Sequence, residues 1–190
     1  VLADGGVVTV VAPDRRGLLA SVAGTLALHG LAVQSAAAAP GETGMAVEVI
    51  EVEPLFEGRP DWAGVRADLS QALEGRLPLE ARLAERARMY GAARRASAAV
   101  APEPRVLVDN EASAQATVVE VRAADGVGVL YRITRALAGA GLDVASAKVS
   151  TLGHEVVDSF YVRDAAGAKL VAPEAVAGVQ AAVLEALART

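Results

Sequence analysis

Two stretches of this chain carry one pattern, and that repetition limits the fold more than any other feature. Asp14 and Asp125, Gly17 and Gly128, Leu19 and Leu130, Gly30 and Gly141, and Ser35 and Ser146 all stand 111 positions apart. A later apolar stripe repeats as well: Trp62, Val65, Leu69, Leu73 and Val176, Val179, Val183, Leu187 both advance by 3, 4 and 4 residues. Two units of this length predict two small domains; a solenoid would need more copies at a shorter period.

Within the second copy, Thr117 to Ala123 alternates as a half-buried strand should, with Val119 and Val121 on one side and Glu120 and Arg122 on the other. Asp125, Gly126 and Gly128 break it. Val129, Leu130, Ile133 and Leu137 then recur at helical spacing, and Gly139 to Gly141 supply the stop. Leu142 to Thr151 and Val156 to Arg163 flank the short Leu152-Gly153-His154 connection, so they pair as an antiparallel hairpin. The first copy gives a strand Val7 to Ala12, a turn Pro13 to Gly17, a helix Leu18 to His29, strands Ala32 to Ala39 and Met45 to Val52 across Pro40 to Gly44, and a helix between an Asp61 cap and a Gly75 stop.

Arg105 to Asp109 folds back beside Thr117 to Ala123 and supplies a fourth strand to the second copy from its front. The fold class is α+β: two modules, each a four-stranded antiparallel sheet with both helices on one face, in a split βαβ arrangement. The expected divisions are module one at 1–96, a linker at 97–104 and module two at 105–190. Pro78 starts an extra helix striped with Leu79, Leu83, Ala87 and Tyr90, expected to pack on its own module with its other faces in water. The modules should lie side by side, sheets or first helices in contact, because each is small and aromatic-poor.

Composition narrows the chemistry. With 53% hydrophobic but only 3% aromatic residues, the cores are Ala, Val and Leu. A net charge of -5 gives no reason to bind nucleic acid or an anionic membrane. No cysteine is present for a disulfide or thiolate site, and no apolar run approaches a membrane span, so a cytoplasmic location is expected. The near-immediate opening on a strand at Val7 suggests a region of something longer. His29 and His154, the two histidines, fall at a helix end and in a turn, where acid-base work is not expected. Asp158 shares a strand face with Val156, Phe160 and Val162, either at a rim or in a buried contact with the neighbouring module.

The turn between first strand and helix is where binding chemistry is available. Glycine there lets a ligand approach free helix N–H groups, whose dipoles favour an anion. A dinucleotide is excluded: Gly126-Val127-Gly128 lacks the third glycine, and the chain continues into an antiparallel hairpin. An amino acid fits better. Asp14 or Asp125 would face its ammonium, and the N–H groups at Gly17 or Gly128 its carboxylate; capping or stabilising the turn is the alternative role for these residues.

Asp14-Arg15-Arg16-Gly17-Leu18-Leu19 and Asp125-Gly126-Val127-Gly128-Val129-Leu130 resemble the turn of the ACT domain, a ferredoxin-like βαββαβ module that senses amino acids. Together with Ser150-Thr151-Leu152-Gly153 and Val156-Val157-Asp158-Ser159-Phe160-Tyr161-Val162, the pair is similar to the C-terminal tandem of the bifunctional uridylyltransferase/uridylyl-removing enzymes that modify PII signalling proteins. That resemblance implies glutamine, or a similar small amino acid, as ligand, no cofactor, and no activity in this chain. It also implies upstream catalytic domains in a parent chain and a PII-type protein as the parent's substrate. The implied ligand residues are Asp125, Val127, Gly128, Val129, Leu130 and Asp143, with Asp14, Gly17 and Leu18 in module one. The family often places a polar contact early in its second strand, which is Asp143 in module two but Ala32 in module one, so module two is expected to be the stronger site. ACT sites also draw residues from both members of a pair, which would bring Asp14 to module two's ligand. A free-standing tandem regulator and a structural tether that senses nothing are the rival readings.

Overall fold

The structure, a computed structural model, describes residues 2–4, 6–40, 44–94 and 102–188. Residues 97–101 of the expected linker, 41–43 of the first hairpin connection and the Tyr90 side chain lie outside what is described. Module one runs β1 (Leu2–Asp4), β2 (Val7–Pro13), α1 (Leu18–Leu28), β3 (Leu31–Pro40), β4 (Met45–Pro54) and α2 (Trp62–Leu73). After α3 (Leu79–Arg94), module two runs β5 (Arg105–Asp109), β6 (Thr117–Ala124), α4 (Val129–Gly139), β7 (Asp143–Lys148), β8 (Thr151–Leu152), β9 (Glu155–Arg163) and α5 (Pro173–Ala188). These are α+β modules of the ferredoxin-like type, with the edge strand of each, β1 or β5, supplied from the front.

The described strands form one antiparallel sheet in the order β1-β2-β4-β3-β7-β9-β6-β5, with the short β8 paired to β9. The order is a palindrome. β3 and β7 join the halves, and Ala36 faces Ala147 at the junction, flanked by Ser35 against Lys148 and Ala37 against Ser146. Ala36 and Ala147 are themselves 111 positions apart, so a pseudo-two-fold axis passes between them. The duplication reaches fine detail: the ladder to the neighbouring strand slips between Val33 and Ser35 in β3 and between Val144 and Ser146 in β7, again 111 apart.

Strand alternation sends Val8, Val10, Ile50, Val119, Val121 and Phe160 into one core with α1, α2, α4 and α5, while Val11, Val49 and Leu107 stay exposed. α1 packs on α4 across the junction as β3 pairs with β7, so sheets and first helices are both in contact. Gly24 permits that approach. A Cβ there would lie 2.8 Å from Tyr131 Cδ2 and 3.2 Å from Leu79 Cδ1.

Two local expectations are corrected. α3 does not pack on module one alone: Leu79 and Leu83 share a buried cluster with Ala20 and Ala72 of module one and Tyr131 of module two. Asp158 is not at a rim, and its hydrogen bond lies within its own module. It is 1% exposed and accepts the Ser150 N–H at 3.3 Å, where the chain leaves the ladder between β7 and β8.

Candidate functional site

Each module presents the same turn for the same reason. Gly17 and Gly128 cap α1 and α4 in the left-handed region, at φ 83° and 76°, which a Cβ would disfavour. Neither helix has a side-chain cap, so Asp14 and Asp125 do not serve as N-caps. Their backbone N–H groups instead tie the turns to the hairpin ends, Asp14 donating to Gly44 O and Asp125 to His154 O, both at 2.9 Å. Leu18 N–H bonds Arg15 O and Ser21 N–H bonds Gly17 O, leaving the amides of Leu19 and Ala20 without an acceptor among the described residues. The Leu130 and Tyr131 amides are in the same state at α4. These are the free donors of a helix start.

The two turns differ in what surrounds them. A groove of about 910 Å³ opens at module one's turn, lined by Arg16, Gly17, Ala20 and Ser21 of module one, Arg135 and Ala138 of α4, and the first turn of α3. Module two's turn borders a larger groove of about 2020 Å³, lined in part by Asp125, Gly126, Val127, Gly128 and Val129. There, however, Leu83 of α3 lies directly over the glycine: a Cβ on Gly128 would be 3.4 Å from Leu83 Cβ and Cδ1. The turn that sequence reasoning ranked first is therefore in contact with a leucine.

The expected grouping of Asp125, Gly128 and Asp143 also needs correction. Asp143 opens β7 just beyond the C-terminal end of α4, whereas Gly128 caps its N-terminal end, and the helix between them is about 16 Å long. The pseudo-two-fold arrangement brings Asp143 to the other module, where its Oδ1 is 4.0 Å from Arg16 Nε. Arg16, next to Gly17 in module one's turn, thus meets Asp143 of module two across the junction. Leu18 is buried at the start of α1, and Leu130 is partly buried in the core.

Below the turns lie two buried acids. Glu48 is 3% exposed and its Oε2 has no hydrogen-bond partner among the described residues. Burial, with a smaller push from Asp14, raises its carboxyl to about 7. Asp158 is likewise raised to about 7 by burial, with the Ser150 N–H pulling the other way and Asp125 adding to the rise. Among the described residues no group of three His, Cys, Asp or Glu could hold a metal ion, and no helix is long and apolar enough to cross a membrane. His29 Nε2 is 3.0 Å from Asp68 Oδ2, which ties α1 to α2.

Sequence reasoning missed Arg16, Glu80 and Arg135 as groove residues. Arg16 lies inside the turn motif and was open to notice; Glu80 and Arg135 reach the groove only through the placement of α3 and α4.

The comparisons agree with this architecture. The ACT domain family matches residues 117–177. The chain is 43% identical over 172 residues to a bifunctional uridylyltransferase/uridylyl-removing enzyme of Streptomyces coelicolor, covering 87% of this chain and 20% of the relative. Enzymes of the same name from Rhodospirillum rubrum and Azospirillum brasilense are 36% and 35% identical, covering 96% and 95% of this chain and 20% of each relative. The chain therefore spans about a fifth of the length of the curated relatives it matches. Residues 117–177 match the ACT domain family, residues 7–73 repeat the same order of elements, and the chain is similar along nearly its whole length to one fifth of the bifunctional uridylyltransferase/uridylyl-removing enzymes.

Proposed function

We propose that this chain senses a small amino acid, glutamine first, and passes the signal to the catalytic domains of a longer, cytoplasmic PII-modifying enzyme, itself contributing no catalytic group. In this reading 1–96 and 105–190 are the two ACT domains, joined at 97–104, and a PII-type protein is the substrate of the parent enzyme. The observation that carries the reading is the approach of Arg16 to Asp143 beside the uncapped start of α1. An amino acid needs a receptor for a carboxylate and another for an ammonium. The Leu19 and Ala20 amides with Arg16 supply the first, and Asp143 supplies the second.

The nine residues implied by the sequence divide in this proposal. Gly17 and Asp143 serve the ligand directly. Asp14 and Leu18 shape the turn, while Asp125, Val127, Gly128, Val129 and Leu130 build the pseudo-symmetric turn that α3 covers.

Thermal melting with added amino acids tests the function. Glutamine at 100 times its dissociation constant should stabilise the fold by about 2.7 kcal/mol, a shift of several degrees. No shift with millimolar glutamine, or an equal shift with every amino acid, would favour the structural tether.

A further inference from the structure

We infer that Glu80 and Arg135 form the part of this groove that reads the ligand's side chain, and that together they select a carboxamide over a carboxylate or an aliphatic group. The inference rests on the sensing reading above and adds a specificity determinant to it. Glu80 sits in the first turn of α3 and Arg135 on α4, and the two side chains bond to each other in the groove that Arg16, Gly17 and Ala20 also line. Arg135 is 5.9 Å from the centroid of the Tyr131 ring, which stands in the same wall.

The spacing suits an amino acid. Ala138 Cβ lies 3.7 Å from the place a Cβ on Gly17 would take, so α4 passes close to the turn. Arg135 is three residues earlier on α4, hence on the same face and about 5 Å along the helix. An extended glutamine places its amide carbon about 5 Å from its carboxylate carbon. A ligand whose carboxylate meets the α1 amides would therefore bring its side-chain end to Arg135 and Glu80.

The chemistry then decides between ligands. A carboxamide carries one acceptor oxygen and an NH2 with two donors. Arg135 offers only donors and Glu80, when ionised, only acceptors, so side by side they match the two halves of an amide. A carboxylate side chain has nothing to donate and meets the like charge of Glu80. An aliphatic end leaves the pair as it is and gains no hydrogen bond. A purely structural role for the pair is weak by comparison, because both side chains are more than half exposed, 54% for Arg135 and 63% for Glu80.

Calorimetric titration of the full chain with glutamine, glutamate and norvaline tests this. The unmodified chain should bind glutamine about 10-fold or more tighter than either of the others. Glu80→Gln, which keeps the size and removes the charge, should weaken glutamine and strengthen glutamate, so that their ratio falls at least about 5-fold while norvaline is unchanged. Arg135→Gln should weaken glutamine and leave norvaline alone. Melting curves confirm that both variants fold. If the unmodified chain binds glutamine but Glu80→Gln leaves the glutamine-to-glutamate ratio as it was, the specificity assignment fails and the sensing reading stands. If none of the three ligands binds the unmodified chain, the sensing reading fails and takes this assignment with it.

Discussion

Glu48 and Asp158 stand at the same place in the two modules, Glu48 facing Val10 across β2 and β4 as Asp158 faces Val121 across β6 and β9. Both are buried on the helix side of the sheet, and each is pushed upward in part by the aspartate of its own turn, Asp14 or Asp125. The duplicated acid is thus part of how the turn and the sheet beneath it are charged.

A pH dependence follows with a definite sign. Both carboxyls are raised from their ordinary values, 4.5 for Glu48 and 3.8 for Asp158, to about 7. A raised acid holds its proton more tightly in the fold, so its stabilisation is fully present below the unfolded value and is lost as pH rises to about 7. The loss is on the order of 3 kcal/mol per group. In melts from pH 4 to 8.5, stability should fall between pH 5 and 7 and then level. Glu48→Gln should remove about half of that fall and leave the protein more stable than its parent at pH 8. Equal stability of variant and parent at pH 8 would show that Glu48 is ionised without cost.

α3 is expected to act as a strut between the modules. Leu83 is 4% exposed and packs with groups from both modules, so Leu83→Ala should cost about 2–4 kcal/mol in urea unfolding. Leu107→Ala, at a position 59% exposed, should cost less than about 0.5 kcal/mol. Similar small losses from both would mean that α3 is only loosely applied.

The closeness of α1 and α4 is open to a sharper check. Alanine is a better helix former than glycine by about 1 kcal/mol, and Gly24→Ala should nonetheless destabilise, because the new methyl group meets the Tyr131 ring at 2.8 Å. Stabilisation by Gly24→Ala in the same assay would place the two helices farther apart.

Most elements were legible because their signals are local. The Asp61 cap is present, its Oδ1 accepting the Gly64 N–H at 3.0 Å, and β5 returns beside β6 as the polar turn between them implied. β1 was missed, since three residues carry too little alternation to read. What escaped the sequence depends on packing between distant parts. The apolar stripe of α3 says that one face is buried but not against which module. The meeting of Arg16 with Asp143 follows from the pseudo-two-fold axis between Ala36 and Ala147, which neither turn encodes alone. One error was avoidable: an eleven-residue helix between Gly128 and Asp143 already separates them. Alternation puts Glu48 in step with Ile50 and Val52, yet only the closed fold shows that its Oε2 finds no partner among the described residues.

The central claim is that the amino-acid site joins module one's turn to Asp143 of module two. Isothermal titration of glutamine into the unmodified chain, Asp143→Ala and Asp125→Ala tests it directly. Loss of a charge-assisted hydrogen bond to the ligand's ammonium should weaken binding about 10-fold to 150-fold in Asp143→Ala. Asp125→Ala, beneath the turn that Leu83 covers, should stay within about 3-fold of the parent. A larger loss from Asp125→Ala than from Asp143→Ala would contradict the account and return the site to the turn of module two.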